Sequence, residues 1–344
     1  SPRFISVILL LASLGALGYS LFRWHDGTIR RIRLEHEKVL DYHLKEAGRL
    51  EKEIGDLKNR NGFLMMNMNQ LQVMLEKTVG AVGRVKVVFD RSKNVKTKRY
   101  SITFVGENFK TEIEKKIDTI YPAVHGFLEK EFGFMRHEKT PLIEVKIFDT
   151  KENYENYREL LGIEKRTSGG SYLSYYKEIV LYAGDRDDLT LYRNATHETT
   201  HYIIDNHVHK PPLWLNEGFA VYFENSVAGD YSFDYGRVNP WMLGELKKAF
   251  KLGHYVPFDE FINTRSGDFE VINYQNPLQQ IIGYAQSWIM VALFLHTSKE
   301  NRDTFKEYMT GLLRGSDTTL EEFLGGKKLN ELETQWSDFI ENIE

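Results

Sequence analysis

The first strong pattern along the chain is an unbroken apolar run. Residues 4–22 (FISVILLLASLGALGYSLF) hold 19 positions without a charge. As a helix the run measures about 28 Å, enough to cross a hydrocarbon core of about 30 Å. A buried helix of a soluble protein is seldom apolar on every face, so residues 1–23 read as a transmembrane anchor. A cleaved signal peptide is the rival reading, with Ala16-Leu17-Gly18 as a cleavage site. The apolar core of a signal peptide usually runs only about 7–15 residues, which favours the uncleaved anchor. Arg3 precedes the run, and Arg23, Arg30, Arg31 and Arg33 follow it. Taken alone, that asymmetry would put the downstream part in the cytoplasm, but long following domains obey the rule weakly.

Residues 24–79 read as a helical stalk. No proline interrupts 29–78, and Leu57, Asn61, Leu64, Met68, Leu71, Leu75 and Thr78 follow each other by steps of four and three. Those steps are the seam of a coiled coil. Leu40, Leu44, Ala47, Glu51 and Ile54 form an earlier stretch in another register, and the break between the two amounts to a stammer. A homodimer through this coil is the expected assembly.

Near Gly80 the periodicity changes, and 80–344 read as one globular domain, mainly sheet over 80–185 and mainly helix over 186–344. Residues 85–90 and 100–105 predict strands joined by a basic turn at 91–99. Residues 111–132 have helical spacing. A strand follows at 141–148 (PLIEVKIF) and a short helix at 153–161. Gly169-Gly170 lead into 171–176 and a strand at 178–182. A helix capped by Asp187 or Asp188 comes next. From Pro240 the pattern is almost wholly helical, most apolar over 286–297. The fold class expected is α+β.

Composition narrows the function classes. The 344 residues carry 45 basic and 49 acidic side chains, a net charge of −4, which excludes a generally basic nucleic-acid binder. There is no cysteine, so disulfides, thiolate metal sites and a cysteine nucleophile are excluded.

The chemistry concentrates in His197-Glu198-Thr199-Thr200-His201. Two histidines four apart share a helical face, so both imidazoles can reach one tetrahedral ion. Glu198 lies beside that face and can address a water on the ion. The adjacent threonines are poor helix formers, so propensity does not explain the segment. A catalytic zinc takes three protein ligands and keeps one open position. After Pro211-Pro212 the segment Trp214-Leu215-Asn216-Glu217-Gly218-Phe219-Ala220 starts a second helix. Its spacing lets the chain finish the first helix, turn and bring Glu217 near the imidazoles, with Gly218 and Ala220 allowing the two helices to approach. His207 is the rival third ligand. Its spacing would need a glycine three residues after His201, where Ile204 stands, so Glu217 is preferred. His207 and His209 then read as exposed loop residues, and His125, His254 and His296 as structural or surface ones.

From about Phe109 to the C-terminus the sequence resembles the gluzincin metallopeptidases, nearest to the bacterial peptidase-MA-like families. There H-E-x-x-H is followed by a P-x-W-L-x-E-G-x-A-type helix. WLNEGFA also resembles the matching helix of M1-type aminopeptidases, although the spacing to the third ligand is longer in those. The resemblance implies one Zn2+ held by His197, His201 and Glu217, with Glu198 as general base and acid. It also implies a thermolysin-type domain and peptide or protein substrates. Gluzincins draw an oxyanion donor from a later tyrosine or histidine, which makes Tyr284, in the Gly283–Ser287 segment GYAQS, the candidate, with Tyr222 weaker. Gly170, Ser171 and Tyr172 are placed to pair with an extended peptide. Asp205 and Glu224 are both open as the carboxylate that orients a ligand histidine. No G-x-M-E-N sequence is present, which leans towards an endopeptidase. The expected setting is the bacterial inner membrane, single-pass, with the catalytic domain in the periplasm. The alternative is a tethered coiled-coil scaffold whose peptidase-like domain does no chemistry.

Overall fold

Five strands form one mixed sheet in the order β1-β2-β3-β5-β4. They are β1 (Ser92–Lys96), β2 (Tyr100–Val105), β3 (Ile143–Phe148), β4 (Gly170–Leu173) and β5 (Glu178–Tyr182). β2, β3 and β5 run parallel through the middle, and β1 and β4 pair antiparallel at the two edges. The computed structural model describes residues 92–107, 112–135, 141–161, 163, 169–263 and 277–343, together with Arg49. By internal contacts the chain divides into residues 1–86 with 156–164, and residues 87–155 with 165–344; the sheet and the site below lie in the second unit. Apart from Arg49, which is helical, the anchor at 4–22 and the coil at 24–79 lie outside the described residues, and so does the strand expected at 85–90.

Central parallel strands are covered on both faces and therefore read as near-continuous apolar runs. Ile102 and Phe104, Val145 and Ile147, Ile179 and Leu181 turn one face into the main core. The other face carries an ion pair that the hydrophobic pattern did not announce, Lys146 with Glu178, both buried. Tyr154 stands over the same face, its ring 6.1 Å from Phe148 and 6.2 Å from Tyr182.

Two local expectations need correction. The basic stretch at 91–99 is not a turn for most of its length: Ser92–Lys96 is the edge strand β1, and only 97–99 turn. An edge strand half in solvent can be polar, so apolar alternation did not mark it. The helix expected over 111–132 is two, α1 (Ile113–Ile117) and α2 (Ile120–Phe132). At the break, Thr119 Oγ1 donates to Lys116 O at 2.7 Å and Arg99 N–H donates to Asp118 Oδ1 at 3.0 Å. Such side-chain bonds to backbone compete with the helical ladder.

Helices supply the rest: α3 (Lys151–Leu160), α4 (Asp188–His207), α5 (Leu213–Ser226), α6 (Pro240–Leu252), α7 (Phe258–Asn263), α8 (Pro277–His296), α9 (Lys299–Leu313), α10 (Leu320–Leu324) and α11 (Gly326–Asn342). The α+β class therefore holds, with helix dominating after β5. Among the described residues, one helix is long and apolar enough to cross a membrane, Leu278–His296 within α8. Its window is 72% buried inside the fold, and Ala285, Ile289, Met290 and Val291 are fully enclosed, so its apolarity builds the core.

Gly218 serves this helix rather than the histidine helix. A Cβ there would lie 2.5 Å from Ser287 O and 2.7 Å from Val291 Cγ2, both on α8. A backbone oxygen cannot swing aside, so Gly218→Ala must push α5 and α8 apart. Overpacking of this kind costs about 1–3 kcal/mol, expected as a lower midpoint in denaturant unfolding.

Candidate metal centre

α4 carries the site; it is capped at its N-terminus, and the hydroxyls of its mid-helix threonines are satisfied internally. Asp187 is the N-cap, accepting from Thr190 N–H at 2.6 Å, which decides between the two aspartates. Mid-helix hydroxyls donate one turn back, Thr196 Oγ1 to Tyr192 O at 2.9 Å and Thr200 Oγ1 to Thr196 O at 2.8 Å. Thr199 Oγ1 lies 3.3 Å from Tyr100 OH on β2. Buried threonines in this helix are thus satisfied, which removes the penalty for placing them beside the histidines.

His197, His201 and Glu217 come together as expected. Their ligand atoms all lie within 4.8 Å of one another. Each histidine Nε2 is 3.6 Å from Glu217 Oε2. Bonds of about 2.0–2.1 Å around a tetrahedral zinc would separate two donors by about 3.3 Å. The spacing found therefore fits a cation of that size with small adjustments. The remaining ring nitrogens fix the tautomers. His197 Nδ1 is 2.9 Å from Glu224 Oε2, and His201 Nδ1 is 3.0 Å from Asn216 Oδ1. Both partners are acceptors, so each Nδ1–H donates, and Nε2 is the atom each ring turns towards Glu217 and the metal position.

Of the two carboxylates left open, Glu224 orients His197. Asp205 instead accepts from Tyr172 OH at 2.7 Å and pairs with Lys177. Asn216, which holds His201, escaped sequence reasoning; the only signal available was its place immediately before Glu217. Removing such a partner typically weakens metal affinity about 10–100-fold. Glu224→Ala is expected to show that loss in a chelator competition titration.

Electrostatics suit a cation. Burial works against a charged His197, but the nearby Glu217 carboxylate and the hydrogen bond that His197 donates to Glu224 outweigh it and hold its pKa well above the ordinary range. Burial raises the Glu198 pKa, while His197 and His201 pull it back and Glu217 adds to the rise. Glu198 lies under β4: a Cβ on Gly170 would meet its Cγ at 3.0 Å and its Oε1 at 3.1 Å. Only a glycine leaves the carboxylate that room.

Gly170, Ser171 and Tyr172 lie on β4, the edge strand beside α4. Tyr284 reaches the site, its ring 6.1 Å from that of His197, and Gln280 Nε2 donates to its hydroxyl at 3.2 Å. Tyr222 does not; its hydroxyl is 3.0 Å from His296 Nε2. His207 is no ligand and no loop residue: it ends α4 half-buried, Nδ1 2.7 Å from Ile203 O and Nε2 3.0 Å from Met135 O. With Ile204 in place of glycine the helix runs on to His207, which is why the loop expectation failed. His209 is exposed and His125 is buried, stacked 5.1 Å from Tyr121.

Compared with models of known families and with curated proteins, the chain matches none.

Proposed function

We propose that this chain is a zinc-dependent peptidase of gluzincin type. The observation that carries the reading is the convergence of His197 Nε2, His201 Nε2 and Glu217 Oε2, with Glu198 next to them. A zinc bound there would supply Lewis acidity, lowering the pKa of a water from about 15.7 towards 7 and polarising the scissile carbonyl. Glu198 takes the proton from the attacking water on its carboxylate and passes it to the nitrogen of the leaving amine. Burial raises its pKa above the ordinary carboxylate value, the direction that suits a group that both takes and returns a proton. Tyr284, beside His197, donates its hydroxyl to the charge that grows on the carbonyl oxygen. The outer edge of β4, where Gly170 N–H and Tyr172 O face outward, aligns an extended peptide past these groups.

In the full reading the enzyme is anchored in the bacterial inner membrane through residues 4–22, paired through its coil, and faces the periplasm. The direct test is elemental analysis of the purified protein, followed by exposure of the zinc-loaded form to a mixed peptide pool with cleavage mapped by mass spectrometry. One equivalent of zinc and internal cuts are expected. An absence of stoichiometric zinc binding would end the peptidase reading.

A further inference from the structure

The edge strand is tied to the catalytic helix at two points by one residue. Tyr182 N–H donates to Gly169 O at 2.9 Å, which sets the phase of the β4–β5 ladder. Facing pairs alternate in an antiparallel ladder, so Ser171 and Leu173 bond β5, while the backbone groups of Gly170 and Tyr172 face outward. Two of those outward groups are already engaged. Ser171 Oγ donates to Gly170 O at 2.7 Å, and Tyr172 N–H faces the Glu198 carboxylate, which lies directly under β4 beside Gly170. The phenol of the same tyrosine donates to Asp205 Oδ2 at 2.7 Å. Asp205 lies seven residues past Glu198 on α4, about two turns along the same face. Lys177, in the turn after β4, also binds Asp205, and the Tyr172 ring crosses that of Tyr202 at 5.9 Å, edge to face. Burial and the Asp205 charge both push the Tyr172 phenol upward in pKa, so it stays protonated and donates.

We propose that Tyr172 is a positioning residue for Glu198: its phenol braces β4 against Asp205, and the brace holds the residue-172 N–H on the Glu198 carboxylate. The inference rests on the peptidase reading for its effect on rate, but the brace itself can be tested without catalysis. Without the phenol, β4 keeps its ladder to β5 while its outer edge shifts relative to α4. Glu198 then loses the donor that fixes its orientation.

Tyr172→Phe keeps the ring and removes only the hydroxyl, so the domain is expected to fold. Hydrogen exchange followed residue by residue by NMR gives the first readout. Loss of a bond to a charged group is expected to speed exchange of the residue-172 amide about tenfold, with the amides of Ser171 and Leu173 changed less than about twofold. Asp205→Ala should reproduce that pattern, and Asp205→Asn, which keeps an acceptor, should largely restore it. In the zinc-loaded enzyme, kcat for a cleaved peptide should fall about tenfold with KM within about twofold, and the Tyr172→Phe, Asp205→Ala pair should lose no more than either alone. Wild-type exchange at residue 172 in the phenylalanine variant would overturn the brace, as would equal acceleration at all three amides. If the wild-type protein binds no zinc and cuts no peptide, the peptidase reading falls, and the exchange pattern alone decides the brace.

Discussion

Glu198→Gln is expected to bind zinc as the wild type does and to hydrolyse peptides about a hundred- to ten-thousand-fold more slowly, the usual contribution of a general acid–base group. The substitution changes almost nothing else. The amide has the size of the carboxylate, so the close fit under Gly170, with 3.1 Å between the Gly170 Cβ position and Oε1, is kept. Its oxygen can still accept from Tyr172 N–H. It cannot take a proton from water or return one to the leaving amine. Glu198 provides none of the three clustered ligand atoms, so metal content should not move. Zinc stoichiometry and kcat/KM measured on the same preparation check both halves. A variant as active as the wild type would remove Glu198 from the chemistry, and one that lost its zinc would mean Glu198 holds the metal.

The second large effect is expected from Glu217→Ala. Glu217 Oε2 stands 3.6 Å from both Nε2 atoms and is the site's one negatively charged ligand. Its removal leaves two neutral imidazoles and should weaken zinc binding beyond the roughly 10–100-fold expected when an outer partner of a ligand is lost. Hydrolysis should fall with it and return in part when zinc is added in excess. It should also lower the His197 pKa, because the Glu217 carboxylate is one of the two acidic groups beside the ring that raise it. His207→Ala is the matched control. That ring is committed to Ile203 O and Met135 O, so zinc affinity should be unchanged. Retained zinc in the Glu217 variant together with loss in the His207 variant would reverse the ligand assignment. Calorimetric zinc titration of the two proteins separates these outcomes.

Local code predicted what local code can hold. The interval of four between His197 and His201 requires only a helix, and an N-cap aspartate followed by a long proline-free stretch predicts one. Pro211-Pro212 predicted where the next helix starts, and α5 begins at Leu213. β5 announced itself as an apolar run, and β3 by the alternation of Ile143, Val145 and Ile147. β1 did not, because an exposed edge needs no apolar pattern. The break between α1 and α2 was hidden because it depends on Asp118 meeting Arg99 N–H from a distant turn.

The amino-acid sequence alone determined the two histidine candidates, since helical geometry ties their spacing to a shared face, whereas Glu217, on the next helix, was reached through the spacing after Pro211-Pro212 and the resemblance of WLNEGFA. It also determined the α+β class, through periodicities that belong to single elements. Tertiary structure decided which partners orient those ligands: Glu224 rather than Asp205 on His197, Asn216 on His201, and Asp205 on Tyr172. It likewise decided that Gly218 makes room for α8. Those choices depend on distances between separate elements, and such distances are set by how helices and sheet pack, a property that no short stretch of residues carries.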